Sequence, residues 1–288
     1  LGKIVQKNNH KQVSIPPLLL QIPDPPRQLF CLGSGIEDLL TKPRIAIVGS
    51  RKMSPYGKAV TEKLASGLAE QGIVIVSGLA YGVDACAHQA ALEAGGQCIA
   101  VQANGLDQLY PAANQRLGEA ILARGGVIVS EYPPGTPPYK NHFLERNRLV
   151  AGLADAVLIT EAAERSGTLN TAAHALNQGK PVLVVPGNIT NVLSAGTNNL
   201  LKAGATPVTS VDDVLSLLGI ASTSQTMLPI AANPDELTLL TLIQQGTTDG
   251  GELLRQSAMT TATFNQTLTM LEITAKVRPL GGNNWAIA

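Results

Sequence analysis

The sequence predicts an α/β protein built on a doubly wound, mostly parallel sheet, and three observations carry that expectation. Short β-branched runs, among them Ile45–Val48, Cys98–Val101 and Val127–Ser130, alternate with longer segments of helical periodicity. With 28 Gly and 18 Pro, a breaker stands at almost every junction between the two kinds of segment. Apolar residues make up 44% of the chain but aromatics only 3%, so the core must be assembled from Ala, Val, Leu and Ile. That palette suits parallel strands covered by helices on both faces.

Residues 1–43 carry few periodic signals, and the proline-rich Ile15–Pro26 reads as an extended arm or edge segment. The first regular unit starts with the strand Ile45–Val48. Gly49-Ser50-Arg51 follows, and Ser54-Pro55 supplies an N-cap with proline at the first helical position. Val60, Leu64 and Leu68 lie four apart and give that helix one buried stripe, which Gly72 closes. The unit then repeats. Strands are expected at Ile73–Val76, Cys98–Val101, Val127–Ser130, Ala156–Ile159 and Val182–Val185. Helices are expected at Asp84–Ala94, Ala113–Arg124, about His142–Ala154 and Thr168–Gln178.

Ala221–Pro234 is rich in Ser, Thr, Ala and Pro and reads as a linker. Beyond it, Glu236–Gln244, Glu252–Ser257 and Thr261–Ile273 have helical patterning, and Lys276–Pro279 and Asn284–Ile287 flank Gly281-Gly282 as a hairpin. Three short helices and a two-stranded wing predict a winged-helix module. The expected domains are a Rossmann-like domain over 1–219 (with 1–43 as an N-terminal arm), a linker over 220–234 and a small winged-helix domain over 235–288.

Net charge is zero, so any polyanion site must come from local placement of charge. Cys31, Cys86 and Cys98 form neither a disulfide framework nor a zinc spacing, and read as buried reduced thiols. His10, His88, His142 and His174 contain no i, i+4 pair, so no helical metal site is expected; His88 and His174 read as satisfied residues inside helices. No apolar run approaches the ~18 residues of a membrane span, and no charged region followed by an apolar stretch opens the chain. A cytoplasmic location is the expectation.

Ligands of an open parallel sheet bind outside the carboxyl ends of the strands, where strand order reverses. The segments following the expected strands include Gly49-Ser50-Arg51, Ser77-Gly78 through Gly82 to Asp84, Glu161 with Arg165-Ser166-Gly167-Thr168, and Pro186-Gly187-Asn188. Glycines there let backbone N–H groups approach an anion, and helix starts at Pro55, Asp84 and Thr168 add partial positive charge. A phosphate-holding crevice is therefore expected. The second unusual feature is Tyr139–Arg148, which packs Lys140, His142, Phe143, Arg146, Asn147 and Arg148 together. Cations can track phosphates while a base stacks on the ring, a contact worth ~1–3 kcal/mol. That is the make-up of a single-strand site.

Enzyme signatures are missing. The first turn lacks G-x-G-x-x-G, no acidic residue closes the second strand, and neither a P-loop nor a G-x-S-x-G elbow occurs. No nucleophile stands with a base. The chain reads as a binding protein without catalytic residues, cofactor or metal.

The stretches IPDPPRQLF, IAIVGSRKMSPYG, VSGLAYGVDACAH, LDQLYPAAN, SEYPPGTPP, HFLERNRLVAGL, EAAERSGTLNTA, VPGN and GTNNLLKAGA resemble the DprA/Smf family of bacterial DNA-processing proteins, over roughly Ile15 to Leu218. The resemblance implies a homodimer that binds and protects single-stranded DNA and loads the RecA recombinase during natural transformation. It implies Arg51, Lys140 and Phe143 in the strand-binding pocket and phosphate contacts from Ser166, Gly167 and Thr168. With Gly187 of VPGN and Lys202 of GTNNLLKAGA, the expected DNA-binding set is Gly49, Ser50, Arg51, Gly78, Gly82, Lys140, His142, Phe143, Arg146, Asn147, Arg148, Ser166, Gly167, Thr168, Gly187 and Lys202. The chain departs from the family at Tyr81, where a basic residue is usual, and at Asn170, usually apolar. The family's separate N-terminal helical domain has at most residues 1–43 as its counterpart here.

Residues 1–219 hold 18 Lys and Arg against 16 Asp and Glu, whereas residues 220–288 hold 3 against 5. The expected recognition helix presents Thr261, Thr263, Asn265, Gln266 and Thr269 and no cation. Phosphate neutralisation supplies most non-specific DNA affinity, so the tail reads as a protein-contact or regulatory module. Two competing functions stay open. One is a nucleotide-processing enzyme of the lysine-decarboxylase-like group, a nucleoside-monophosphate glycosidase with Glu145, Glu161 and Glu164 for acid–base work. Its P-G-G-x-G-T turn is matched only in part by Arg165-Ser166-Gly167-Thr168. The other is a scaffold for which DNA is incidental.

Overall fold

The computed structural model describes residues 10–220 and 231–287, which fall into two compact units. Residues 1–9 of the expected arm and 221–230 of the expected linker lie outside the described residues.

The first unit runs through β1 (Lys11–Val13), α1 (Pro17–Leu20), β2 (Leu29–Leu32), α2 (Ile36–Leu40), β3 (Arg44–Val48), α3 (Pro55–Glu70), β4 (Val74–Ser77) and α4 (Val83–Glu93). It continues through β5 (Cys98–Val101), α5 (Gln115–Ala123), β6 (Val127–Ser130), α6 (His142–Gly152), β7 (Ala156–Ile159) and α7 (Thr168–Asn177). It ends with β8 (Val182–Val184), α8 (Ala195–Lys202), β9 (Thr206–Pro207) and α9 (Val211–Leu217). The strands form one sheet in the order β1-β2-β6-β5-β4-β3-β7-β8-β9. Every pair from β6 to β9 is parallel, and β1 and β2 join antiparallel beyond β6.

Period-two alternation divides the strand side chains between two cores. Ile45 and Ile47 of β3 enter a core with Leu64 of α3, Ala87 of α4, Ile121 of α5 and Val214 of α9. Ala46 and Val48 enter the other, with Leu149 of α6 and Ala172 of α7. Burial on both faces is why these strands read as unbroken apolar runs. The expected strands over 98–101, 127–130 and 156–159 match their observed bounds, and the others differ by a residue or so.

Part of the expected 1–43 arm belongs to the sheet. Leu29 to Leu32 are all buried, Phe30 and Leu32 in one core and Leu29 and Cys31 in the other, so β2 is an integral strand. It pairs with β6, whose edge would otherwise present unpaired backbone groups. All three cysteines are free and buried.

The second unit contains α10 (Pro234–Gln244), α11 (Gly250–Ser257), α12 (Thr261–Ile273) and an antiparallel pair, β10 (Val277–Gly281) with β11 (Asn284–Ile287). Asn233, Asp249 and Thr260 cap the three helices through their side chains. Leu239, Leu240, Ile243, Leu253, Phe264, Leu268, Leu271 and Val277 form its own core. Lys276 pairs with the buried Glu236 at 2.6 Å. Among the described residues, no helix is long and apolar enough to cross a membrane, and no cluster of three or more His, Cys, Asp or Glu could hold a metal ion.

Candidate nucleic-acid interface

β3 lies between β4 and β7, and the chain moves away from it in opposite directions, so the sheet's switch point falls between β3 and β7. The loops leaving these two strands interlock. Ser50 N–H donates to Glu161 O at 2.8 Å, and Val83 N–H donates to Ser50 O at 3.1 Å. Gly82 has φ +77°, and a Cβ there would overlap Ser50 O and the Arg51 backbone. Only glycine serves both needs. At Gly49 a Cβ would come within 2.6 Å of Val83 Cγ2. The Gly49-Ser50-Arg51 turn is thus wedged between α4 and the loop after β7, which leaves the exposed Arg51 side chain beside the crevice.

Part of the expected cradle of backbone amides is already filled, because several of those N–H groups have acceptors within the fold. At the start of α3, the buried Glu161 carboxylate accepts from Ser54 N–H at 2.8 Å and Ser54 Oγ–H at 2.5 Å. Near the start of α4, Asp84 accepts from Gly78 N–H at 3.1 Å. At α7, Thr168 N–H donates to Ser166 Oγ, and Leu169 and Asn170 N–H donate to the carbonyls of Ser166 and Gly167. Gly187 N–H is taken by Asn198 Oδ1. A fold that buries its loop ends must satisfy their N–H groups. Here it does so with its own oxygens.

Formal positive charge at the switch point is carried by side chains. A cleft of about 930 Å³ opens over the switch point, lined by Arg51, Lys52, Lys140, Arg146 and Arg165 against one carboxylate, Asp84. Arg51, Lys52, Lys140 and Arg165 are exposed, and none makes an ion pair within the described residues. Arg146 lies buried, its Nη1 donating to Val101 O at 2.7 Å. It occupies the space a Cβ on Gly78 would need. Burial brings the Arg146 guanidinium down to about 10, with Asp84 acting in the opposite sense, so it keeps its charge at neutral pH. Burial likewise raises the Asp84 carboxyl, against the pull of Arg146. Four exposed cations around one buried one make a positive floor in a chain of zero net charge.

Rings line the same cleft. Phe143, in the first turn of α6, lies 5.6 Å from the Tyr110 ring at 56°, and Arg51 sits over it at 5.2 Å. Asn147, one turn on, donates to Asn170 Oδ1 at 3.1 Å and ties α6 to the start of α7. This gives a role to Asn170. Of the expected site residues, Gly49, Ser50, Arg51, Lys140, Phe143, Arg146, Asn147, Ser166, Gly167 and Thr168 line the cleft together.

Others are placed elsewhere. His142 stacks on Tyr132 with centroids 4.0 Å apart and lies edge-on to Tyr139. Arg148 turns to the far side of α6, with Nη1 and Nη2 on the Glu131 carboxylate at 2.6 and 2.7 Å and Nε on Asp24 at 2.8 Å. Gly187 packs against Ser194. Lys202 is in the last turn of α8, which carries the chain back to the start of β9, so it sits at the amino end of the strands. His88 lies inside α4 as expected and is buried, with the Ser77 backbone as its polar neighbour.

Sequence reasoning passed over Lys52, Arg165 and Tyr110 as site residues. Each adjoins a motif it used: Lys52 follows Arg51, Arg165 precedes Ser166, and Tyr110 lies in LDQLYPAAN. Two of the three carboxylates in the glycosidase reading are occupied instead, and the exposed Glu164 does not line the cleft. Glu161 holds Ser54, and Glu145 accepts from Tyr132 Oη–H at 2.8 Å and Asn141 at 3.1 Å. Neither lines the cleft.

The family model for DNA recombination-mediator protein A matches residues 8–219. DNA processing protein DprA of Streptococcus pneumoniae is 47% identical over 198 residues, 69% of each chain, and its X-ray structure matches with a TM-score of 0.67 over 73% of this chain and 75% of that one. Protein Smf of Escherichia coli is 43% identical over 203 residues, 70% of this chain and 54% of its own length, so the chain spans about half of that relative. DNA processing protein A of Helicobacter pylori, whose solved structure concerns its single-stranded DNA binding mode, is 37% identical with a TM-score of 0.66, covering 73% of this chain and 95% of that one. A nine-stranded sheet of this topology, the interlocked turns at its switch point and these matches lead to one conclusion: the chain belongs to the DNA recombination-mediator protein A family.

Proposed function

We propose that this chain is a non-catalytic binder of single-stranded DNA, and that the unpaired strand lies in the cleft at the switch point. One observation carries the reading: four exposed, unpaired cations and the Phe143 and Tyr110 rings line one cleft whose only carboxylate is buried. Phosphates meet Arg51, Lys52, Lys140 and Arg165, and a base stacks on Phe143. Unpaired bases can reach a ring; a duplex hides them. The Helicobacter pylori relative, with its described single-stranded DNA binding mode, supports the assignment.

In the cell, the chain protects single strands and helps load the RecA recombinase during natural transformation, as a cytoplasmic homodimer. Family membership motivates this part. The second unit, three helices and a hairpin with an acidic excess, acts as a winged-helix protein-contact module. Fluorescence anisotropy with single- and double-stranded oligonucleotides at two salt concentrations tests the central point. Single strands should bind more tightly, and the affinity should fall as salt rises. Equal binding of both forms, or binding indifferent to salt, removes the cleft as the DNA site. Capture of RecA with and without DNA tests the partner.

A further inference from the structure

Beside the main cleft, and sharing Arg51, Tyr110 and Phe143 with it, lies a narrower slot of about 30 Å³. Tyr81, from the loop after β4, and Ala103, from the loop after β5, also line it. Because β5, β4, β3 and β7 stand side by side in that order, the slot extends the cleft from the gap between β3 and β7 toward β4 and β5. Tyr110 already supports the Phe143 ring. Tyr81 is 49% exposed and, among the described residues, makes no contact with another ring. Its backbone is nonetheless fixed. Leu79 is fully buried with φ +55°, a conformation rare outside glycine, and Asn114 Nδ2 donates to Leu79 O at 2.9 Å and to Ala80 O at 3.2 Å. On the other side, Gly82 is wedged against the Ser50-Arg51 turn.

A flat, half-exposed ring on a fixed loop, adjoining a cleft lined with cations, is a stacking platform that loses little freedom when it is covered. On the reading of the cleft as a single-strand site, we propose that Tyr81 is a second base-stacking residue, taking a further base beyond the one on Phe143. The strand then runs across the edge of the sheet from the loop after β7, with Arg165, to the loop after β4. A phenol ring carries no charge, so Tyr81 adds affinity that depends on bases and not on salt.

The test is anisotropy on the full chain with oligo(dT) and with an abasic oligonucleotide of equal length, which keeps the phosphates and lacks the bases. Wild type, Tyr81→Leu, Tyr81→Phe and Phe143→Leu are compared at one low salt concentration, and thermal unfolding establishes that each is folded. Tyr81→Leu should lose at least about fivefold in oligo(dT) affinity, the lower end of what one stacked base contributes. Its affinity for the abasic strand should stay at the wild-type value, and Tyr81→Phe, which keeps the ring, should bind both strands as wild type does. If Tyr81→Leu binds oligo(dT) like wild type, or weakens both strands by one common factor, the proposal is overturned. Loss of the preference for oligo(dT) in Phe143→Leu would then leave the cleft assignment intact. A wild type that binds neither oligonucleotide removes both.

Discussion

Replacing Arg148 with methionine separates a strut of the fold from a DNA contact, since its neighbour by two, Arg146, faces the cleft and Arg148 does not. The Arg148 side chain is 8% exposed and forks onto Glu131, itself 15% exposed, while Asp24 at the rim is 79% exposed. The Asp24 arm is worth ~0–1 kcal/mol as a surface pair. The Glu131 fork is nearly buried, and removing one partner of such a pair costs ~3–5 kcal/mol because the other charge is left uncompensated. Methionine keeps much of the stem's packing, so the expected loss is about 3 kcal/mol. For a unit of this size that lowers the midpoint of thermal unfolding by roughly 6–12 °C. Glu131→Gln in the same background should recover part of the loss. Circular dichroism melts read the stability and anisotropy reads DNA binding, whose salt slope should stay at the wild-type value. A variant as stable as wild type with a flattened salt slope would refute this placement of Arg148.

Three further outcomes follow from the same geometry. Glu161→Gln weakens the bonds that hold Ser54 at the start of α3 and should cost about 1–3 kcal/mol in urea unfolding, with the DNA salt slope unchanged; a slope change at full stability would contradict the anchoring role. Gly78→Ala forces Arg146 out of its place, so about 1–3 kcal/mol of stability and part of the DNA affinity should go together; an unaffected variant would mean the guanidinium has another seat. His88 is held neutral by burial, which brings its pKa from 6.5 to about 3. The unfolded chain gains that proton below 6.5 and the folded chain does not until about 3, so stability is lost as pH falls through this window. The loss is at most about 1.4 kcal/mol per pH unit. His88→Leu should remove this part of the acid sensitivity, and an unchanged pH profile would contradict it.

The sheet was legible because its strands are buried on both faces. Cys98–Val101, Val127–Ser130 and Ala156–Ile159 are short apolar runs bounded by polar or small residues, and no other element type fits them. β2 was not, for it is four residues after a proline-rich stretch and its partner β6 lies about a hundred residues away. Local pattern cannot see that pairing. Arg148 is a case where spacing held more than was used. On a helix, residues 143, 146 and 147 share a face and 148 lies away from it. The cluster Lys140–Arg148 therefore divides, part to the cleft and part to the ion pair with Glu131. Several of the expected cradle amides are taken up within the fold, for a different reason. Glycine at a strand end marks a close approach but does not name what approaches. At Gly78 it is the Arg146 side chain, and at Gly82 the neighbouring turn. Whether a helix start is open or filled depends on a residue as distant as Glu161 is from Ser54.

The most direct measurement is the slope of log affinity against log salt for a single-stranded oligonucleotide, taken for wild type, Arg51→Ala, Lys140→Ala and Lys202→Ala. Each phosphate neutralised on a single strand contributes about 0.7 to that slope. Arg51→Ala and Lys140→Ala should each flatten it by about that amount, and Lys202→Ala, at the other end of the sheet, should leave it as it is. If neither cleft variant alters the slope, or Lys202→Ala alters it as much, the strand does not lie over the switch point.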